Sequence, residues 1–279
     1  MRACPKDVIP DHILSKLSAD DAFEQILAMH GDIYREITAR RTIRVTLGGE
    51  SYFIKQHFGV GWAEIFKNLL TLRLPILSAL TEWRAIHRMH ALGIPTTPAV
   101  AYGCRGMNPA TMRSFVMTKD LGDIVSLETL CADWKRNPPD AKFKRRLILA
   151  VAGIAKTFHG NGMNHRDFYI CHFCLDKKRL ANDEIYLYLI DLHRVGIHRQ
   201  IKHAARMKDI AGLYFSALDA GLSRRDFLRF MRGYTGNLRQ TLELEQGFWH
   251  QVDQRARKLF EKFHGHLPVM PFDDEPTNH

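Results

Sequence analysis

A short polar loop limits the fold of this chain more than any other stretch. In NGMNHRDFYICHFCLD, a His-Arg-Asp triplet is followed five residues later by a histidine: His165, Arg166, Asp167 and His172. A second acidic residue, Asp191, lies in IYLYLIDLHR, a run of strand-forming residues. One carboxylate on a loop and another at the end of a strand suit phosphoryl transfer, in which one group orients the acceptor hydroxyl and the other holds Mg²⁺. We therefore expect Asp167 to act on the acceptor and Asp191 to bind the metal.

The order of four residues along the chain supports the same chemistry. Protein kinases carry, from the N-terminus, a strand lysine, a helix glutamate, the His-Arg-Asp loop and a metal-binding aspartate. This chain has Lys55 at the end of SYFIK and Glu82 in LSALTEWRAIHRMHALG, followed by Asp167 and Asp191. Because a phosphate-binding lysine needs a carboxylate to hold it, we expect Glu82 to pair with Lys55. The triplet alone is typical of many polar loops, whereas its order and spacing with the other residues predict a kinase-like site.

Length and charge limit the class of protein. The chain has 279 residues, enough for two lobes, and 40 Lys and Arg against 30 Asp and Glu give a net charge of +10. Such a surface attracts anions, including nucleotides, anionic lipids and acidic proteins. We do not expect nucleic acid as a partner, because the sequence has no zinc-finger spacing, no aromatic RNA-binding pattern and no basic zipper.

The sequence predicts a cytosolic protein. Its N-terminus, MRACPKDVIPDHI, lacks the apolar core of a secretory signal, and the longest apolar run, LILAVAGIAKTF, is too short to cross a bilayer. Five scattered cysteines do not make a disulfide framework and fit a reducing compartment. Cys171 and Cys174 form a CxxC pair, for which we expect core packing over a zinc or redox site, because no second pair accompanies it.

Strand-like runs and a helix predict a sheet-based N-terminal lobe. DIYREI, TIRVTL and SYFIK are three antiparallel strands, the last two joined by the turn dipeptide Gly48-Gly49. LSALTEWRAIHRMHALG is a helix that ends at Gly93, and AVAYG and RSFVMT complete a five-stranded sheet. The preceding connector, FGVGWAEIFKNLLTLRLPIL, has helical spacing, and we expect it to pack in the core rather than to face a membrane or the acceptor.

Several residues of this lobe are candidate nucleotide contacts. The first hairpin turn, TARRT, has no glycine, so that Arg40 and Arg41 either replace backbone amides as phosphate contacts or remain solvated. Lys55 is expected at the α and β phosphates, the alternative being an exposed lysine on an edge strand. The segment KDLGD is the expected hinge, where adenine would bond to backbone groups near Lys119 and Leu121.

The second half of the chain predicts helices. SLETLCADWKR has Ser126 as its cap, FKRRLILAVAGIAKTFHGNG leads into the His-Arg-Asp loop, and Ser223 caps SRRDFLRFMRGYTG. KDIAGLYFSALDAG carries Asp209 at its head, from where we expect it to anchor the backbone of the His-Arg-Asp loop. One further helix is predicted from Leu238 to His264.

The predicted fold class is α+β, a bilobal protein-kinase-like fold. We expect a lobe with an antiparallel sheet and one helix over residues 1–122 and a mostly helical lobe over residues 123–279. After IDLHR, a cluster of basic residues either holds an acceptor bearing acidic groups or forms a solvated loop: Arg194, His198, Arg199, Lys202, His203, Arg206 and Lys208.

The segments together resemble the lipopolysaccharide core heptose kinase family of Gram-negative bacteria. The resemblance rests on NHRDFYICHF, IDLHR, SYFIKQHFGVGWAEIFKNLL, TEWRAIHRMHALGIPT, CADWKRNPP and KDIAGLYFSALDAGLSRRDFLRF, and runs from about Tyr34 to Tyr234. It implies transfer of the γ-phosphate of ATP, with Mg²⁺, to the first heptose of the inner-core glycolipid. It also implies a cytoplasmic protein that is peripheral at the anionic surface of the inner membrane.

By position, the resemblance implies that Asp167 is the catalytic aspartate, Lys55 the phosphate lysine with Glu82 as its partner, and Asp191 the Mg²⁺ ligand. His172 stands where protein kinases place an asparagine for a second metal. Imidazole is a poor ligand for Mg²⁺, so either one ion suffices or His172 has another role. Leu and His, rather than Phe and Gly, follow the metal aspartate, and we therefore expect constitutive activity without a mobile regulatory switch.

The positive net charge also favours anionic partners. A glycolipid in an anionic bilayer favours a cationic protein, since each Lys or Arg near the surface adds about 1 kcal/mol. An acidic protein such as an acyl carrier protein meets the same charge requirement.

Two other functions are alternatives to a heptose kinase. One is a kinase of this architecture acting on another hydroxyl acceptor or on protein, and the other is a catalytically silent nucleotide-binding module. The presence of Lys55, Asp167 and Asp191 argues against the silent module.

Overall fold

The computed structural model describes residues 6–18, 21–37, 39–70 and 78–269, apart from the side chains of residues 64 and 67–70. The chain folds into two compact units, each of which is discontinuous in sequence. The first unit comprises Met1–His90, Thr96–Gly122 and Asp191–Arg194. The second comprises Ala91–Pro95, Asp123–Ile190 and Val195–His279. Asp191 therefore belongs to the unit that contains Lys55, although most of its sequence neighbours belong to the other.

A five-stranded antiparallel sheet forms the centre of the first unit, as predicted. Its strands are β1 Asp32–Ile37, β2 Arg40–Leu47, β3 Glu50–His57, β4 Ala99–Arg105 and β5 Arg113–Lys119. They lie in the order β1-β2-β3-β5-β4. Gly48 and Gly49 join β2 to β3 with φ angles of 58° and 81°, which are the left-handed angles that a tight hairpin requires.

Among the residues that the structure describes, four helices accompany this sheet: α1 Asp11–Leu14, α2 Ala22–Ala28, α3 Gly61–Leu70 and α4 Leu80–Ala91. Asp21 caps α2 by accepting the amides of Phe23 and Glu24, and the apolar face of α2 packs in a core with β2, β3 and β5. The predicted connector helix is present as α3, and the remainder of that prediction, to residue 77, lies outside the described residues. Core packing is confirmed for Ile65 but is wrong for Trp62 and Phe66, which are exposed.

The cysteines differ in state. Cys104 is disulfide-bonded, which was not predicted from the sequence. Cys131, Cys171 and Cys174 are free. Burial raises the pKa of the Cys174 thiol to about 11 and leaves it unreactive, which agrees with a packing role.

The second unit is mostly helical, as predicted. Its helices are α5 Leu127–Cys131, α6 Ala141–Gly160, α7 Lys177–Leu180, α8 His203–Ala217, α9 Arg224–Thr235, α10 Leu238–Leu244 and α11 Gln246–His264. The described part of this unit also contains short strands: β6 Ile124–Ser126, β7 Met163–Asn164, β8 Phe173–Asp176, β9 Leu187–Leu189 and β10 Gly196–Ile197. They form two small sheets, β6-β8-β9 and β7-β10, and of these strands β9 alone lies in a run, IYLYLI, that the sequence predicts as a strand. None of the described helices is long and apolar enough to cross a membrane.

Two helix predictions in this unit are wrong in their bounds. The helix α8 begins six residues before Asp209, at His203, so that Asp209 lies inside the helix rather than at its head. The single predicted helix over residues 238–264 is divided at Glu245, whose carboxylate pairs with Arg206 at 2.8 Å. The predicted caps are confirmed: Ser126 accepts the amide of Thr129, and Ser223 forms a capping box with α9.

Candidate active site

Lys55 lies near the end of a central strand of the first unit. Its strand β3 has β2 on one side and β5 on the other, so that the alternative of an exposed edge-strand lysine is wrong. The ammonium Nζ lies 2.7 Å from Oε1 of Glu82, in the first turn of α4, and 3.0 Å from Oδ1 of Asp191. The predicted pair of Lys55 and Glu82 is therefore present, and Asp191 completes a cluster of three charged side chains.

Electrostatics fix the ionisation of this cluster. Burial alone would lower the pKa of Lys55, but the carboxylates of Glu82 and Asp191 outweigh it and raise that pKa above its ordinary value. Burial alone would raise the pKa of Asp191, but the hydrogen bond from His193 and the charge of Lys55 hold it well below its ordinary value. At neutral pH the cluster therefore presents an ammonium and an ionised carboxylate.

Asp191 has an unusual backbone conformation. Its φ is 61°, in the left-handed region that residues other than glycine seldom adopt and that is common at functional sites. Nδ1 of His193 lies 2.6 Å from Oδ1 of Asp191, the same oxygen that Lys55 contacts. Because a carboxylate oxygen only accepts, Nδ1 donates this hydrogen bond. His193 was not among the predicted site residues, although it occupies a position where the sequence departs from protein kinases.

A cavity of about 50 Å³ lies beside this cluster within the first unit. Arg40 is paired in register with His57, and Thr42 with Lys55, so that Arg40 and Lys55 point to one face of the sheet. Arg41 alternates to the other face, where it donates to Oε1 of Gln56 at 2.9 Å and to the carbonyl of Met29 at 3.1 Å. The cationic residues Arg35, Arg40, Arg41 and Lys55 contribute to the lining of this cavity. The other lining residues are Ile37, Thr42, Gln56, His57, Asp191 and His193.

The segment after β5 is fixed to the sheet. The amide of Asp120 donates to the carbonyl of Ser51 at 3.0 Å, and the carboxylate of Asp120 accepts from Arg44 at 2.9 Å. The side chain of Lys119 pairs with Glu50 at 2.8 Å. Leu121, the other predicted adenine contact, is half-buried. The ammonium of Lys119 is therefore engaged by Glu50, and adenine contacts of the backbone in this segment stay a prediction.

In the second unit, Asp209 holds the His-Arg-Asp loop from below, as predicted. Its carboxylate accepts the backbone amide of His165 at 2.6 Å and that of Arg166 at 2.8 Å. Arg166 has a φ of 72°, another left-handed residue that these two hydrogen bonds hold in place. The buried ring of His165 contacts the carbonyl of Ile190 through Nε2 at 3.0 Å. Arg166 itself is exposed and Asp167 is half-buried.

His172 has a structural contact of its own in the second unit. Its Nδ1 donates to the backbone carbonyl of Asp167 at 2.7 Å, and it therefore ties the His-Arg-Asp loop to the 3-10 helix Ile170–His172 that follows. Nitrogen ligands suit Mg²⁺ poorly, so this contact is a better account of His172 than metal ligation.

The described residues fit a magnesium ion that is bound together with a nucleotide. No group of three or more His, Cys, Asp or Glu side chains in the described ranges is arranged to hold a metal by protein ligands alone. Mg²⁺ at kinase sites takes one or two carboxylates and completes its octahedron with phosphate oxygens and water. The ionised carboxylate of Asp191 is an oxygen donor of this kind.

Comparison with known proteins identifies the family. The model of the lipopolysaccharide kinase (Kdo/WaaP) family matches residues 24–234, most of the chain. The chain belongs to this family. Membership in a kinase family implies the use of ATP.

Individual relatives agree with this assignment. The lipopolysaccharide core heptose(I) kinase WaaP of Pseudomonas aeruginosa is 47% identical over 244 residues, which cover 87% of this chain and 91% of the relative. The Escherichia coli kinase of the same name is 45% identical over 244 residues, 87% of this chain and 92% of the relative. A solved structure of WaaP in complex with acyl carrier protein is 40% identical, with a TM-score of 0.80, and the match covers 92% of this chain and 100% of that one. The resemblance is confirmed, and so are the antiparallel five-stranded sheet and the mostly helical second part of the predicted fold class.

Proposed function

We propose that this member of the lipopolysaccharide kinase family is an ATP-dependent kinase that phosphorylates the first heptose of the inner core. The observation that carries the proposal is the cluster of Lys55, Glu82 and Asp191, which provides a phosphate-binding ammonium next to an ionised carboxylate. Its relatives at 45% and 47% identity are core heptose(I) kinases, which supplies the acceptor.

Each charged residue has a role in phosphoryl transfer. Lys55 binds the α and β phosphates, and Glu82 keeps its ammonium in position. Arg40, on the same face of the sheet, provides a second cationic contact to the phosphates. Asp191 would hold Mg²⁺, which would supply neutralisation of charge on the phosphates, and His193 orients the Asp191 carboxylate.

The residues of the His-Arg-Asp loop act on the acceptor. Asp167 orients a heptose hydroxyl and accepts its proton as the oxygen attacks the γ-phosphorus, and ADP leaves. His165 and Arg166 position Asp167, because Asp209 holds both of their backbone amides. His172 contributes through its hydrogen bond to the Asp167 carbonyl.

The acceptor also determines where the protein works. An inner-core glycolipid is built at the cytoplasmic face of the inner membrane, and we propose that the kinase is cytoplasmic and peripheral there. The net charge of +10 favours an anionic bilayer surface and a negatively charged glycolipid. The same charge favours an acidic protein, and we propose acyl carrier protein as a partner because a relative was solved in complex with it.

The proposal is tested by offering two acceptors to the purified protein. Labelled ATP and Mg²⁺ are supplied with unphosphorylated core glycolipid or with casein, and Asp167→Asn serves as the inactive control. We expect label in the glycolipid with the wild type and none with the variant. Label in casein alone would exclude the heptose kinase and favour a protein kinase.

A further inference from the structure

His57 is a buried polar residue that the roles above do not use. It is the last residue of β3 and is paired in register with Arg40 of β2 and Ser114 of β5. Only 4% of its surface is exposed, and the residue lines the cavity next to Lys55. Its Nδ1 has no hydrogen-bond partner within the described part of the chain. Buried polar atoms are nearly always paired in native proteins, so this nitrogen calls for a ligand.

The surroundings of His57 favour an anionic ligand that accepts a hydrogen bond. Burial, together with the nearby positive charges of Arg40 and Lys55 and the ring of His193, lowers the pKa of His57 to about 3. The imidazole is therefore neutral at physiological pH and carries one N–H donor. Arg35 and Arg40 line the same cavity. A phosphoryl oxygen meets both requirements, since it is anionic and accepts hydrogen bonds.

The direction of β3 indicates which phosphate lies near His57. The strand begins at the hinge end, where the carbonyl of Ser51 accepts the amide of Asp120. It ends beside the hairpin turn, where the amide of Phe58 donates to the carbonyl of Ala39. At about 3.3 Å per residue, His57 lies roughly 7 Å beyond Lys55 on the side away from the hinge.

A nucleotide whose adenine is at the hinge and whose α and β phosphates are at Lys55 therefore has its γ-phosphoryl group nearest to His57. We propose that His57 is a binding residue that donates a hydrogen bond to this γ-phosphoryl group. With Arg40, it replaces part of what backbone amides of a glycine-rich turn provide, because the turn here contains no glycine. The inference rests on the proposed nucleotide site and adds a residue that distinguishes ATP from ADP.

The test compares the affinities for ADP and for a non-hydrolysable ATP analogue, measured by calorimetry with Mg²⁺. His57→Leu removes the donor, and His57→Gln moves it away from the Nδ1 position. His57→Asn places an amide nitrogen near that position. We expect His57→Leu and His57→Gln to bind the ATP analogue about tenfold to a hundredfold more weakly and ADP within about twofold of the wild type. His57→Asn should recover most of the lost affinity.

The possible results separate this inference from the proposed function. Wild-type affinity for the ATP analogue in a folded His57→Leu or His57→Gln protein would overturn the role of His57 alone. An equal loss for ADP and the analogue would also overturn it, because the contact would then not be to the γ-phosphoryl group. A wild-type protein that binds neither nucleotide would instead overturn the proposed function and this inference together.

Discussion

The ammonium of Lys55 lies 3.0 Å from the carboxylate of Asp191, although the two residues are 136 positions apart in the chain. The fold brings Asp191–Arg194 into the unit of the sheet, while the residues on either side belong to the helical unit. The consequence is that Lys55, Glu82 and Asp191, the cluster for which we propose nucleotide binding, all lie within the first unit. Four predictions concern this cluster, the neighbouring His57 and the His-Arg-Asp loop that Asp209 holds.

Lys55→Ala should impair both catalysis and stability. Loss of the phosphate contact lowers kcat/KM for ATP by roughly tenfold to a hundredfold, as expected for a hydrogen bond to a charged group. Glu82, which is 3% exposed, then loses its partner, and the free energy of unfolding falls by about 2–3 kcal/mol. Steady-state kinetics and urea unfolding measure the two effects.

A second substitution separates the two consequences of losing Lys55. In the double variant Lys55→Ala with Glu82→Gln, no uncompensated charge remains at residue 82. We expect stability to recover while ATP use stays impaired. Unaltered ATP kinetics in Lys55→Ala would show that the proposed role of this strand lysine is wrong.

Asp167→Ala should abolish transfer and spare nucleotide binding. Removal of a general base costs about 10²–10⁴ in kcat. The affinity for ATP, measured by calorimetry, should stay close to that of the wild type, because Asp167 acts on the acceptor. An equal loss of kcat and of nucleotide affinity would assign Asp167 to nucleotide binding instead.

Asp209→Ala should destabilise the second unit and reduce kcat. The carboxylate, which is 1% exposed, accepts two backbone amides of the His-Arg-Asp loop, and we expect the free energy of unfolding to fall by roughly 3 kcal/mol. Asp219→Asn is a matched control, since that aspartate is exposed and pairs with an exposed Lys135. Thermal unfolding and kinetics at saturating ATP distinguish the two variants, and similar behaviour would contradict the anchoring role.

Because His57 is buried and neutral, the free energy of unfolding should be lower at pH 5 than at pH 7. Its pKa is lowered from 6.5 to about 3 in the folded state, so between these values the unfolded chain binds a proton that the folded protein does not. Stability therefore falls as pH falls below about 6.5, by about 2 kcal/mol at pH 5. Urea unfolding at pH 7 and pH 5 should show a loss larger by this amount in the wild type than in His57→Asn. Equal losses would mean that His57 titrates normally.

Local patterns explain why much of the fold could be predicted. Alternating strand residues and the Gly48-Gly49 turn predict the hairpin, since the turn geometry needs left-handed residues. The long helix α6 follows from its apolar periodicity and its terminal glycine. The pair of Lys55 and Glu82 was predictable because kinase residues occur in a fixed order along the chain.

Features that depend on contacts between distant segments could not be predicted in this way. The pairing of Glu245 with Arg206 coincides with the end of a helix that periodicity alone extends to His264. The exposure of Trp62 is likewise invisible in its helical spacing. The roles of His57 and His193 could not be predicted either, because they depend on a cavity that both residues line only in the folded protein.

The most direct test of the account is the phosphorylation state of the core sugar. Core oligosaccharide is isolated from cells that lack this gene and carry either the wild-type protein or Asp167→Ala, and its mass is determined by mass spectrometry. We predict one added phosphate on the first heptose with the wild type and none with Asp167→Ala. A first heptose that lacks phosphate in both strains, or carries it in both, would contradict the assignment of this protein as its kinase.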